Sequence, residues 1–150
     1  MDQESPHIHA VGGVVYRYVA DGQLQLLLIK KQGGDWTLPK GQIKPDEDDL
    51  YALSREIREE TALHGHVGPF VHEVCYPIVK KGQQQLKTVR YYLVQAAAGQ
   101  PHPDRHEKIT KVTWFPFKHA LRRIQNDRVR DIAYQAIMLL NNELSDLATC

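Results

Sequence analysis

Apolar positions recur with two different periods along the chain, and each change of period marks an element. Residues 8 to 18, IHAVGGVVYRY, are β-branched and aromatic; after the turn signal Asp21-Gly22 comes LQLLLIK, so a β-hairpin is expected. Residues 31 to 45 carry glycines and the prolines 39 and 45, which exclude a long regular element and predict a shaped loop. The acids from Asp46 onward supply an N-cap and favourable first-turn charges. Leu50, Leu53 and Ile57 then recur at helical spacing to about Thr61. PFVHEVCYPIV and LKTVRYYLVQAA flank the turn KKGQQ as two antiparallel strands, and KITKVTWF, residues 108 to 115, reads as another. Val129, Ile132, Ala133, Ala136, Ile137 and Leu140 form one stripe of a final helix. The sum is a mixed β-sheet with helices packed on it, in one domain covering residues 1–150.

Charge narrows the function classes. The chain has 19 Lys and Arg against 18 Asp and Glu, a net charge of +1, which lacks the basic footprint of a protein that grips duplex nucleic acid. The longest apolar runs, residues 26 to 29 and 136 to 140, fall far short of the ~20 residues that span a bilayer. The first ten residues hold no apolar signal region, so no membrane partner and a soluble, cytoplasmic chain are expected. Two cysteines, Cys75 and Cys150, make neither a disulfide framework nor a zinc cluster.

The charge is unevenly placed. Between Asp46 and Glu60 there are seven acids and two bases, net −5, leaving the rest of the chain at +6. At roughly 100° per residue, Glu56, Glu59 and Glu60 share one arc of the helix beside its apolar stripe. Like charges at these spacings each cost a helix roughly 0.2–0.5 kcal/mol, so the cluster opposes stability unless a cation offsets it. Carboxylate oxygens are hard ligands, suited to Mg²⁺ or Mn²⁺, which also bridge phosphate oxygens. The alternative is a solvated acidic helix, partly neutralised by Arg55 and Glu59 four residues apart.

Spacing decides between them. Five residues separate Gly41 from Glu47, seven more separate Glu47 from Arg55, and Arg55-Glu56-Ile57-Arg58-Glu59-Glu60 follows without a gap. This resembles the box of the Nudix hydrolases, in which glycine, glutamate and the Arg-Glu-aliphatic-any-Glu-Glu run occupy these offsets in a loop, helix and loop. One position departs: the box glycine after the last glutamate is Ala62 here, so either the helix end shifts, with Gly65 as a substitute, or the alanine costs about 1 kcal/mol in place. The resemblance implies an α/β sandwich with helices on both faces of the sheet. It implies that Glu56, Glu59 and Glu60 bind divalent metal, that one of them orients or deprotonates the attacking water, and that Arg55 and Glu47 hold the box together. The backbone carbonyl of Lys40 would complete the metal shell, and Glu107 is a weaker candidate ligand. Lys40, beside Gly41, is also placed as a point charge on the phosphate chain.

Two further stretches bear on the substrate. WTLPKGQIKPDEDDLYALSREIREE and KTVRYYLV resemble the corresponding parts of asymmetrically cleaving dinucleoside tetraphosphate hydrolases, implying cleavage of that substrate to ATP and AMP. By strand alternation Lys87, Val89, Tyr91 and Leu93 share a face, so a cation for phosphate and an aromatic ring for a base would point together, unless Tyr91 is sheet core. Rival readings are a nucleoside triphosphate pyrophosphohydrolase that clears oxidised nucleotides, a diphosphoinositol polyphosphate hydrolase, and a catalytically silent nucleotide-sensing module, which usually lacks box carboxylates. A monomer and a homodimer both remain open. The pairs His7/His9 and His64/His66 read as solvent histidines, with transition-metal capture as the alternative, and Arg122, Arg123, Arg128 and Arg130 read as a solvated helix face, with a partner or phosphate-site role as the alternative.

Overall fold

The computed structural model describes residues 7–104 and 108–148, with side chains among them as far as residue 142. β1 (His7–Tyr18) and β2 (Leu24–Lys31) form the expected hairpin, Tyr16 facing Leu26 and Tyr18 facing Leu24. Asp21 and Gly22 turn it with φ of 72° and 75°, a backbone that Asp and Gly tolerate better than most residues. The loop that follows holds only two short ladders, β3 (Trp36–Thr37) against β2 and β4 (Lys40–Gln42) against β1.

α1 spans Asp49–Thr61. Its N-cap is Asp48, whose carboxylate accepts the Tyr51 backbone N–H at 2.8 Å, two residues later than the first acid of the cluster. Asp46 instead sits in a turn at φ 71°. β5 (Gly65–Lys80) and β6 (Gln83–Ala96) make a long antiparallel hairpin, and β7 (Ile109–Pro116) returns alongside β2. Among the described residues the strands form one sheet in the order β3-β2-β1-β6-β5, with β4 added to β1 and β7 to β2. β1 and β6 run parallel from His7 opposite Leu86 to Tyr16 opposite Gln95, while the other pairs are antiparallel, so the sheet is mixed. The parallel pair is possible because α1 and β5 provide the long crossover such strands require.

Helices cover both faces. On one side Val11, Val15, Leu27 and Val94 pack against Leu53, Ile57 and Leu63 of α1 and its exit. On the other, Val14, Leu26, Leu28 and Leu93 pack against α3 (Asp127–Ala148) through Ile132, Ala133, Ala136 and Ile137. Burial on both sides explains why β2 reads as a nearly unbroken apolar run rather than an alternation. The stripe expected on α3 is buried throughout, whereas Leu50 of α1 is 52% exposed. Asp49 takes the sheet-facing role in that first turn, accepting hydrogen bonds from Arg90 Nε at 2.6 Å and the Tyr92 hydroxyl at 2.6 Å. α2 (Phe117–Arg123) was not legible in the sequence, because seven residues hold too few turns for an apolar period to emerge.

Ala62 ends α1 without any shift. It adopts the left-handed conformation itself, φ 65°, and its N–H donates to the Arg58 carbonyl. The Thr61 hydroxyl donates to the Ile57 carbonyl at 2.6 Å and accepts the Leu63 N–H at 3.2 Å. Gly65 is thus not the helix stop; it opens β5.

Candidate active site

Arg55 organises the acidic helix. It is 7% exposed, and each of its five N–H donors has a partner: Nε and Nη2 grip the two Glu47 oxygens at 2.6 and 2.8 Å, Nη1 reaches Glu56 at 2.7 Å and Glu59 at 3.1 Å, and Nη2 also donates to the Gln42 carbonyl at 3.1 Å. Glu47 in turn accepts the Lys44 backbone N–H at 2.8 Å. The Arg55 hydrogen bonds come first in holding the Glu47 carboxyl down to about 2, and the same pair raises the guanidinium above its ordinary value. The loop after β4 is thereby clamped to α1.

Gly41 faces the Glu56 carboxylate so closely that a β-carbon there would overlap it. Only glycine allows the strand to lie against an 8% exposed carboxylate. Glu60 is 1% exposed and its Oε1 accepts the backbone N–H of Lys40 at 2.9 Å. Glu59 is the more open of the three, its side chain 36% exposed. Among the described residues no three His, Cys, Asp or Glu side chains form a ready-made metal cage, because Glu56 and Glu59 are drawn to Arg55 and Glu60 to the Lys40 amide. The donor chemistry nonetheless fits a hard divalent cation. Three carboxylates, Glu47, Glu56 and Glu59, gather around one guanidinium, Glu60 stands one turn from Glu56 on the same helix, and Glu56 and Glu60 are buried. Glu107 lies outside the described residues, as does Cys150; Cys75 is exposed on β5.

Beside this acidic face stands a cationic one, and Lys40 belongs to both. Its ammonium donates to the Tyr76 hydroxyl at 3.2 Å, on the far side of the residue from the amide that holds Glu60. Arg128, in the first turn of α3, lies over the same Tyr76 ring with its guanidinium carbon 3.9 Å from the centroid. Lys87 pairs across the sheet with Tyr76. Burial, then the charges of Lys31 and Arg128, push the Lys40 ammonium below its ordinary value, opposed by Glu60. Burial first, then Lys40, Lys31 and Lys80, does the same to Lys87. Mutually repelling cations around one phenol make a site for an anion.

Tyr91 is not the exposed ring that stacking on a base requires. It is 2% exposed and packs against Gly12, where a β-carbon would overlap it; burial pushes its phenol up. The alternation that aligned it with Lys87 is correct, but the strand runs from the sheet's open end at Lys87 into the core at Tyr91. The half-buried ring beside the cations is Tyr76, which sequence reasoning missed, as it missed Lys31; Arg128 reads in sequence as part of a solvated face, with a phosphate-site role as the alternative. The only signal for Tyr76 in the sequence was the alternation Val74, Tyr76, Ile78 in β5. Val74, Tyr76, Tyr91, Lys40, Asn126 and Arg128 line a cavity of about 90 Å³. A larger one, about 470 Å³, lined by Tyr18, Leu24, Phe117 and Ile137 among others, shares no residue with either charged face.

The NUDIX domain family matches residues 8–137, and the chain belongs to the Nudix family. It is 28% identical over 133 residues to an 8-oxo-(d)GTP phosphatase of Mycolicibacterium smegmatis, an alignment covering 82% of this chain and 39% of that protein. It is 32% identical over 91 residues to an asymmetrical bis(5'-nucleosyl)-tetraphosphatase of Caenorhabditis elegans, covering 59% of this chain and 64% of that one. The chain therefore spans less than two thirds of the length of either relative. A solved structure of a C. elegans Ap4A hydrolase binary complex superposes with a TM-score of 0.73 at 22% identity, over 90% of this chain and 98% of that one.

Proposed function

We propose that this domain is a divalent-metal-dependent pyrophosphohydrolase of nucleoside polyphosphates, and that its substrate is a dinucleoside tetraphosphate, cut asymmetrically to ATP and AMP. The observation that carries the reading is Lys40, whose backbone amide holds Glu60 of the acidic helix while its ammonium holds Tyr76 of the cationic cluster. An electronegative face for cations and an electropositive face for phosphates thus meet at one residue.

Glu56, Glu59 and Glu60 would hold the metal, with the Lys40 carbonyl as a further oxygen donor. A divalent cation there would screen the phosphate charge and lower the pKa of the attacking water. The protein's own groups account for the rest. Glu59, the most open of the three, is best placed to take the water proton as its oxygen attacks phosphorus and the anhydride P–O bond on the opposite side breaks. Lys40 and Lys87 hold the phosphates that leave, and Arg55 and Glu47 keep the helix and the β4 loop in register. Among the rival readings, a nucleoside triphosphate pyrophosphohydrolase is favoured by the mycobacterial relative, which aligns over more of the chain than the nematode enzyme does.

Chromatography of products separates the readings. Diadenosine tetraphosphate is expected to give ATP and AMP with a higher kcat/KM than any single nucleoside triphosphate. Two ADP per substrate, or preferred release of pyrophosphate from a triphosphate, would move the substrate to another class.

A further inference from the structure

We infer that Arg128 is a specificity-determining residue that selects substrates by the length of their phosphate chain, gripping a phosphate remote from the acidic helix. This rests on the reading that the reacting phosphate lies at Glu56, Glu59 and Glu60. Arg128 is exposed in the first turn of a helix, where the helix dipole disfavours a cation, so helix stability does not account for it. Among the described residues it forms no ion pair; its neighbour Asp127 is bound by Arg130 at 2.8 Å. Its guanidinium carbon instead stands 3.9 Å from the Tyr76 ring centroid, a cation–π contact that holds the side chain over the ring. A guanidinium ordered in this way presents a planar fork suited to bidentate capture of phosphate.

Its place relative to the acidic helix supplies the ruler. Contacts run from Glu60 to the Lys40 amide, from the Lys40 ammonium to the Tyr76 hydroxyl, and from the Tyr76 ring to Arg128. With three successive contacts between them, Glu60 and Arg128 are taken to serve different phosphates of one chain. A chain of several phosphates can meet both ends, and its charge relieves the repulsion among Lys31, Lys40, Lys87 and Arg128. The chemical class selected is a linear polyphosphate carried on a nucleoside, with the longer chain preferred.

Calorimetry in chelator, on the full chain, tests the grip without turnover. The probes are inorganic tripolyphosphate and orthophosphate, titrated into the wild type, Arg128→Gln and Arg128→Lys. The tripolyphosphate-to-orthophosphate affinity ratio is expected to fall at least tenfold in Arg128→Gln and by an intermediate factor in Arg128→Lys, which keeps the charge and loses the fork. In parallel, kcat/KM across dinucleoside polyphosphates of three to six phosphates should lose its rise with chain length in Arg128→Gln, through KM rather than kcat. A ratio within twofold of wild type, or equal weakening of both anions, would overturn the inference and leave Arg128 as packing on Tyr76. If no dinucleoside polyphosphate is turned over while the ratio still depends on Arg128, the grip stands and the substrate reading falls.

Discussion

Arg55 shows how one side chain can be read in sequence and still be understood only in space. Its offset from Gly41 and Glu47 marked the box, but its five hydrogen bonds, joining the loop to three carboxylates, are a property of the fold. Around it the carboxylates divide by role. Glu60→Gln keeps an acceptor for the Lys40 amide, and Glu59→Gln removes charge from an open position, so both variants should fold with an unchanged or raised Tm. Turnover should fall about 10²- to 10⁴-fold in each, because a ligand or the base is lost. Near-native turnover in both, measured beside a melting curve, would remove these residues from the chemistry. Glu47 makes a separate prediction through its pH dependence. Its folded carboxyl is depressed from 4.5 to about 2, so the stability it contributes is complete above the unfolded value and is lost as pH falls through 4.5 toward 2. Thermal melts from pH 6 to pH 2 should show a shallower loss for Glu47→Gln than for wild type; parallel curves would mean that the Arg55 pair does not control acid stability.

Among the elements, α1 carries the clearest conflict between local preference and position. After Thr61 the chain must turn toward Leu63, which is 3% exposed, and it does so at Ala62 although alanine disfavours positive φ. Ala62→Gly should therefore stabilise the domain by about 1 kcal/mol, seen as a Tm rise of roughly 2–4 °C. A fall in Tm would mean that the methyl group makes contacts worth more than the strain. Strands β1, β2, β5, β6 and β7 and helices α1 and α3 were legible because each has enough residues for its period to show and for turn residues to bound it. The start of α1 was not, because four consecutive acids can all cap and only the turn through Glu47 selects Asp48. Leu50 was assigned to the apolar stripe because periodicity gives direction around a helix without saying how far along it the neighbouring layer extends.

Across the whole molecule, an acidic helix on one face of a sheet and a cationic cluster at its open end meet through the β4 loop. A divalent cation that binds only this folded arrangement must stabilise it by mass action, by about 2.7 kcal/mol at a hundredfold excess over Kd. Millimolar Mg²⁺ should accordingly raise the Tm of the wild type, chelator should abolish turnover, and Glu59→Gln and Glu60→Gln should lose most of the Tm shift. An identical Mg²⁺ response in all three would put the metal elsewhere. The acidic box was readable from the amino-acid sequence because its residues lie within twenty positions, Gly41 to Glu60, where helical geometry alone determines which side chains share a face. The cationic cluster was not, because Lys31, Lys40, Tyr76, Lys87 and Arg128 come from five separate segments, and no local period relates them. Strand pairing in the sheet and the docking of α3 bring them together, and the same packing makes Tyr91 part of the core and leaves Tyr76 beside the cations: which of two tyrosines stands among the charges depends on where the sheet ends, and that is decided only when all its strands are in register.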